Sequence, residues 1–306
     1  MKSESKHNHN KVDSLVEKWV QWIIFSDIYI TLGAVCFSWA NIKLLGIDTT
    51  LSLMVLIASS TMLIYQFSRW TFFKNISGEL SKDRLYFWME QHRNVVLIFI
   101  ALSVVLGSVS VVFVRAEVVL MLLALGLISI LYNINIRVGK RLVNIRKLPF
   151  VKIFMIALVW ASISVIFPWV QNYGWQLNNE VVLLFWIQFL FIFIITLPFD
   201  INDMDVDREV GVKTIPIALG VIASKVLLTL LSLFYVFLLY HWVAMYKIDT
   251  VGAEVFLFGI SVLMISLLYK TLLRSKRAPK WKIMLWYDGS LVLYLIVYYL
   301  SILLVG

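Results

Sequence analysis

The chain has 306 residues, 61% of them hydrophobic and only 15% charged. An ordinary soluble domain is about half apolar, so this composition excludes one and predicts an all-α polytopic membrane protein. The net charge of +9 is accounted for by basic loops beside a bilayer, and no nucleic-acid partner is expected.

Residues 1–18 read as a cytoplasmic polar tail. The tail lacks the short apolar core and small-residue cleavage site of a signal peptide. His7 and His9 belong to this disordered tail rather than to a metal site. Residues 19–306 form one transmembrane domain. Nine apolar runs of spanning length follow in order, at about 20–41, 50–69, 95–114, 117–136, 149–169, 181–199, 224–245, 251–271 and 283–304. Trp19 and Trp22 flank the first run as interfacial anchors, and Trp281 and Trp286 do so for the last. Cys36, the only cysteine, lies inside the first run, so neither an intrachain disulfide nor a cysteine metal site is expected. Asp27 sits about two turns into the same run. The second run ends in TMLIYQFSRWTFFKN, and the linker after it reads as an amphipathic surface helix, SGELSKDRLYFWMEQ. Only Arg115 and its neighbours separate the third and fourth runs, which predicts a tight helical hairpin. Tyr132 closes the fourth, ahead of Lys140-Arg141 and Leu148-Pro149. Trp160, Trp186, Phe189, Phe191 and Phe193 either wall an apolar tunnel or face lipid. The sixth run ends TLPF and leads straight into DINDMDVDREVGVKTIPIALG, residues 200–220. His241, far from that segment, is given no catalytic role. A basic linker, 272–282, joins the last two runs, and Asp288 opens the ninth within WYDGS.

Loop charges set the orientation. With the N-terminus in the cytoplasm, every basic residue of the 27 except Lys43, Arg115 and Lys247 falls on the cytoplasmic side. One missed helix would scramble that alternation. The same count puts residues 200–220 at the cytoplasmic face, as part of a linker long enough to form short helices over a cavity.

That segment carries the chemistry. Asp200, Asp203 and Asp207 follow a D-x-x-D-x-x-x-D spacing, which places all three on one face of a helix. Clustered carboxylates repel unless a cation sits among them. Hard oxygen ligands favour Mg²⁺, an ion usually shared with substrate phosphates. Asp205 breaks the spacing and points away. Gly211 and Pro216 end the short helix and return the chain to the membrane. Lys140 and Arg141 stand where cations could hold a diphosphate, or else serve as ordinary positive-inside charge. Asp27 either orients a second substrate or pairs with Arg69. Asp288 either accepts a hydrogen bond or pairs with a lysine of the preceding linker. A buried acid of either kind tends to face a cavity or a partner.

The run DINDMDVDREVGVKTIPIALG resembles the second aspartate-rich motif of the UbiA superfamily of intramembrane prenyltransferases. That motif reads D-x-x-D-x-x-x-D-R, then G-x-x-T-hydrophobic-P, then a closing Gly. Asp200, Asp203, Asp207, Arg208, Gly211, Lys213, Thr214, Pro216 and Gly220 match in order. Tyr132 with Lys140-Arg141 and Pro149 gives a second match, its spacing longer by a few residues. The resemblance implies nine helices around a central cavity open at the cytoplasmic face of a prokaryotic inner membrane. It implies a polyprenyl diphosphate whose head is held through Mg²⁺ on Asp200, Asp203 and Asp207. Lys140, Arg141, Arg208, Lys213 and Tyr132 would surround the diphosphate, and Asp203, Asp207 and Arg69 would be catalytic. The product would be a prenylated aromatic or other lipophilic acceptor.

The chain departs from the family at the end of the second run. Where the family carries an N-D-x-x-D motif for a second Mg²⁺, this sequence has Tyr65, Gln66 and Arg69, and no carboxylate before Glu79. Tyr and Arg are not usual Mg²⁺ ligands. Three explanations stand: Arg69 replaces the lost metal; the protein binds an isoprenoid or lipid without turnover; or Glu79, Asp83 or Glu90 folds back from the linker. A small-solute transporter is the alternative from another class.

Overall fold

The computed structural model describes residues 15, 17–74, 84–133, 136–138, 141–143, 145, 148–209, 211–247, 251–273 and 279–304. Among these, eight helices are long and apolar enough to cross a membrane. They coincide with eight of the nine expected spans. The remaining one, Ala116–Tyr132, is apolar but shorter. The protein is thus an all-α, multi-pass integral membrane protein; its only strands among the described residues are a three-residue antiparallel pair, β1 (Ile136–Val138) and β2 (Arg141–Val143).

The spans run as follows. A helix at 17–25 (α1) leads into α2 (Ile28–Leu45), followed by α3 (Leu51–Lys74). The short α4 (Arg84–Gln91) precedes α5 (Arg93–Val111) and α6 (Ala116–Asn133), the expected hairpin turning at Arg115. The fifth span is composite: α7 (Val151–Ala161), a π-helical turn at Ser162–Ile166, and α8 (Phe167–Tyr173), with Pro168 at the start of α8. Then come α9 (Asn179–Asn202), the short α10 (Met204–Glu209) and α11 (Ile215–Leu219), α12 (Val221–Tyr246) and α13 (Val251–Leu272). The last span is α14 (Lys280–Tyr287) continued by α15 (Gly289–Leu303), with Asp288 at the junction. α2 packs on α3 and α15, α3 on α5, α7 on α9, and α9 on α12. The largest core cluster lies where α2, α9 and α15 meet around Phe37, Phe191 and Tyr294, rings 5.3–5.4 Å apart. α5 and α12 instead show apolar side chains outward, such as Ile98 and Phe237, as lipid-facing helices do.

The loops sort by end. Arg115 N–H donates to Gln171 at the close of α8 (3.0 Å), Asn172 reaches the Asp48 carbonyl in the α2–α3 loop (2.9 Å), and Lys247 pairs with Glu180 at the start of α9 (2.9 Å). The α2–α3, α5–α6, α8–α9 and α12–α13 connections therefore share one end of the bundle. Lys43, Arg115 and Lys247, the three exceptions in the charge count, all belong to it.

Asp27 does not lie within a continuous helix, as the sequence suggested. It sits at a break between α1 and α2, in the left-handed conformation with φ 63°. A break in an apolar setting leaves carbonyls that must find donors. Gln66 Nε2 donates to the Ser26 carbonyl and Arg69 Nη1 to that of Phe25, each at 3.0 Å. Two residues of α3 thus hold the break open.

On the other side of α2, Tyr29 donates its hydroxyl to the Leu285 carbonyl (3.0 Å), and a Cβ on Gly289 would run into that hydroxyl. Glycine is required here by close approach. Gly289→Ala is expected to cost about 1–3 kcal/mol, the usual range for forcing volume into a packed site. Tyr29→Phe in the same chain should recover part of the loss, as read by thermal unfolding in detergent.

Candidate functional site

One cavity of about 370 Å³ opens among α3, α6, α7, α9, α10 and α14. Its wall is apolar and aromatic: Tyr65 and Trp160, in edge contact at 6.4 Å, with Phe199, Ile156, Val159 and Ile283. Its polar groups form two clusters.

The first cluster comes from the aspartate segment. The three aspartates line one cavity, but the helix that carries them is not continuous. α9 ends at Asn202, Asp203 is its C-cap, and α10 begins at Met204. Asp203 N–H closes on the Phe199 carbonyl and Asp207 N–H on that of Asp203 (2.9 and 2.8 Å), so the chain kinks but keeps winding. Asp200 and Asp207 still converge, 0% and 2% exposed. Between them stands Lys152 from the first turn of α7, its Nζ 2.8 Å from Asp200 Oδ1 and 3.0 Å from Asp207 Oδ2. Asp203 lines the cavity nearby and accepts from Asn202 Nδ2 at 3.2 Å. Asp205 turns outward as expected and faces Arg208 at 3.6 Å on the exposed side.

The second cluster stands where the first family motif would be. Arg69 lines the cavity and forms a 2.7 Å ion pair with fully buried Asp27. Of the two alternatives for Asp27, the structure takes the pairing. Asp288 lines the same cavity, and among the described residues it has no ion-pair partner within 4.0 Å. Of the two alternatives for Asp288, pairing with a linker lysine is not seen among the described residues, which leave out Lys276.

The structure thus gathers Asp200, Asp203, Asp207, Arg69, Tyr132 and Asp288 around one space. Arg208 and Lys213, expected beside a diphosphate, are exposed and are not among the residues that line it. Lys140 lies outside the described residues, as do Glu79 and Asp83; the side chain of Arg141 is likewise not described. Glu90 is exposed on α4 and does not fold back. Trp160 lines the cavity, whereas Trp186 faces outward and Phe191 is packed between helices.

Lys152 and Lys280 are the charged cavity residues that sequence reasoning missed as site residues, both counted only as loop charge. The available signal was Lys152 lying inside the apolar run VKIFMIALVWA, because an ionisable group within a span marks a site by default.

The donors fit a hard divalent cation. Asp200 Oδ1 and Asp207 Oδ2 point at a common centre, now filled by the Lys152 ammonium, and Asp200 Oδ2 is buried without a hydrogen-bond partner. As they stand, no three His, Cys, Asp or Glu side chains among the described residues are close enough to hold an ion. Two members of the expected trio are drawn together, and a lysine stands between them.

The UbiA prenyltransferase family profile matches residues 91–299. The chain belongs to this family. The UbiA fold is seen as well in solved structures. A UbiA homolog from Aeropyrum pernix K1 superposes with a TM-score of 0.60 at 15% identity, covering 93% of this chain and 98% of the other. A UbiA homolog from Archaeoglobus fulgidus bound to GPP and Mg²⁺ gives 0.58 at 15% identity, covering 93% and 97%. A structure of digeranylgeranylglyceryl phosphate synthase gives 0.56 at 18% identity, with coverage of 93% and 97%. Comparison with curated proteins gives no sequence match.

Proposed function

We propose that the protein transfers a prenyl group from a polyprenyl diphosphate to a lipophilic acceptor within the membrane. The observation that carries this reading is one cavity with an acidic cluster at Asp200, Asp203 and Asp207 and an aromatic wall of Tyr65, Trp160 and Phe199. A diphosphate needs hard oxygen ligands with a cation, and a prenyl tail needs an apolar wall. The UbiA homolog from Archaeoglobus fulgidus, bound to GPP and Mg²⁺, supports the same pairing of ligands. The site faces the cytoplasm, because the loops at the opposite end hold the three basic residues left over by the positive-inside count.

Asp200, Asp203 and Asp207 would hold Mg²⁺, which when bound withdraws charge from the diphosphate leaving group. The C–O bond to the diphosphate breaks with its electron pair leaving on oxygen. Trp160, Tyr65 and Phe199 stabilise the allylic cation that remains, through their ring faces, and exclude water from it. Tyr132 and Ser129 offer hydroxyls to the head group from α6. The acceptor's π electrons or lone pair close on the allylic carbon, and its lost proton goes to a base. Asp288, a carboxylate on the wall with no ion-pair partner among the described residues, is suited to orient that acceptor.

Purified protein given farnesyl or geranylgeranyl diphosphate with Mg²⁺ should release pyrophosphate, and chelation with EDTA should stop it. Asp203→Ala should weaken Mg²⁺-dependent binding of the diphosphate by about tenfold, the effect of losing one partly exposed charged ligand. Unchanged binding in that variant would remove the aspartate cluster from the site. Binding without release at any Mg²⁺ concentration would favour an isoprenoid-binding role instead.

A further inference from the structure

We propose that Lys152 is a resident cation of this site, holding Asp200 and Asp207 together when no metal is bound and turning to the diphosphate when one is. Three features point to it. The Nζ lies 2.8 and 3.0 Å from one oxygen of each carboxylate, so it occupies the point a bridging ion would take. Both carboxylates are buried, and two such charges in an apolar setting cannot stand side by side uncompensated. The lysine also lines the cavity, so its ammonium has a way out on a flexible four-carbon stem.

The exchange follows from charge. A divalent ion attracts the two carboxylates twice as strongly as an ammonium at equal distance. When the ion enters, Lys152 is displaced toward the space in which a diphosphate head would lie, and adds a positive charge there. That charge matters in this chain. Arg69, the cation standing where a second metal motif is missing, is already neutralised by Asp27 at 2.7 Å. Lys152 thus supplies the second cation from the aspartate side.

The diphosphate half of this inference rests on the prenyltransferase reading, but the metal half does not. Mn²⁺ binding to the full-length protein in detergent, followed by electron paramagnetic resonance, separates them. Lys152→Gln removes the competitor and should bind Mn²⁺ about tenfold more tightly than wild type. With Mn²⁺ saturating, it should also bind inorganic pyrophosphate about tenfold more weakly than wild type, because the displaced ammonium is missing. A purely structural lysine would leave the Mn²⁺ affinity unchanged or lower it, and either result overturns the proposal. Lys152→Gln that stays folded only with Mg²⁺ or Mn²⁺ present also supports it. Lys152→Arg keeps the charge and should bind Mn²⁺ no more tightly than wild type; a tenfold gain in that variant overturns the proposal independently of how Lys152→Gln folds. Failure of wild type to release pyrophosphate from any prenyl diphosphate would end the catalytic reading while leaving the Mn²⁺ result intact.

Discussion

Asp200→Ala is expected to lower pyrophosphate release from a prenyl diphosphate by about a thousandfold, at the upper end of what one lost electrostatic contact costs in a water-excluded site. Asp200 is fully buried in the last turn of α9, and its Oδ1 meets the Lys152 ammonium at 2.8 Å. Removing it takes away one of the proposed Mg²⁺ ligands and leaves Lys152 with Asp207 as its counter-charge. The remaining Lys152–Asp207 pair is balanced, so no buried charge is stranded and the unfolding temperature should change little beside the loss of release. Lys152→Met in the same chain should lower stability without restoring release, since it leaves the buried Asp207 carboxylate without its counter-charge. Asp205→Ala supplies the contrast. Asp205 is exposed and pairs with Arg208 at the surface, so release should change by less than about twofold. Steady-state release with saturating Mg²⁺ separates these outcomes. Equal losses for Asp200→Ala and Asp205→Ala would mean that the segment acts through its net charge and not through a built site.

The sequence carried the architecture well, because lipid imposes a coarse rule. Each span needs a long apolar run, and the loops alternate in charge, so both patterns survive without knowledge of packing. Three features escaped for local reasons. The α1–α2 break is invisible to hydropathy, since Ser26 and Asp27 are two polar residues in a long apolar stretch. What opens the helix there is Gln66 and Arg69, some 40 residues along the chain. The spacing of Asp200, Asp203 and Asp207 fits a continuous helix equally well, yet the structure caps α9 at Asp203 and restarts with α10. Lys152 was read as loop charge because Pro149 marks a helix start only approximately, and one turn decides whether a lysine lies in the loop or in the wall.

Arg69→Met is expected to be among the most damaging substitutions in the chain, for a reason different from the one its motif position suggests. The guanidinium does three things at once: it pairs with Asp27 at 2.7 Å, caps the Phe25 carbonyl at 3.0 Å and lines the cavity. Methionine fills similar volume but leaves Asp27, 0% exposed, without a counter-charge. It also strands a carbonyl at a helix break. The cost should be about 3–5 kcal/mol, read as a large drop in unfolding temperature in detergent. Asp27→Asn in the same chain should recover a substantial part, because the two residues are in contact and their effects do not add. Pyrophosphate binding then tells the two roles of Arg69 apart. If Arg69 serves mainly to hold the break, the Arg69→Met/Asp27→Asn double variant should bind pyrophosphate and Mg²⁺ within about threefold of wild type, since the pair it removes is neutral as a unit. If the arginine instead stands in for the missing metal, binding should fall by ten- to a hundredfold even where stability is recovered, as the loss of a charge-assisted phosphate contact predicts. The 2.7 Å pair favours the first outcome: a cation already neutralised by a buried carboxylate has little field left for a diphosphate. On the proposed prenyl-transfer reading, that leaves the aspartate side of the cavity, with Lys152, to carry the charge of the leaving group.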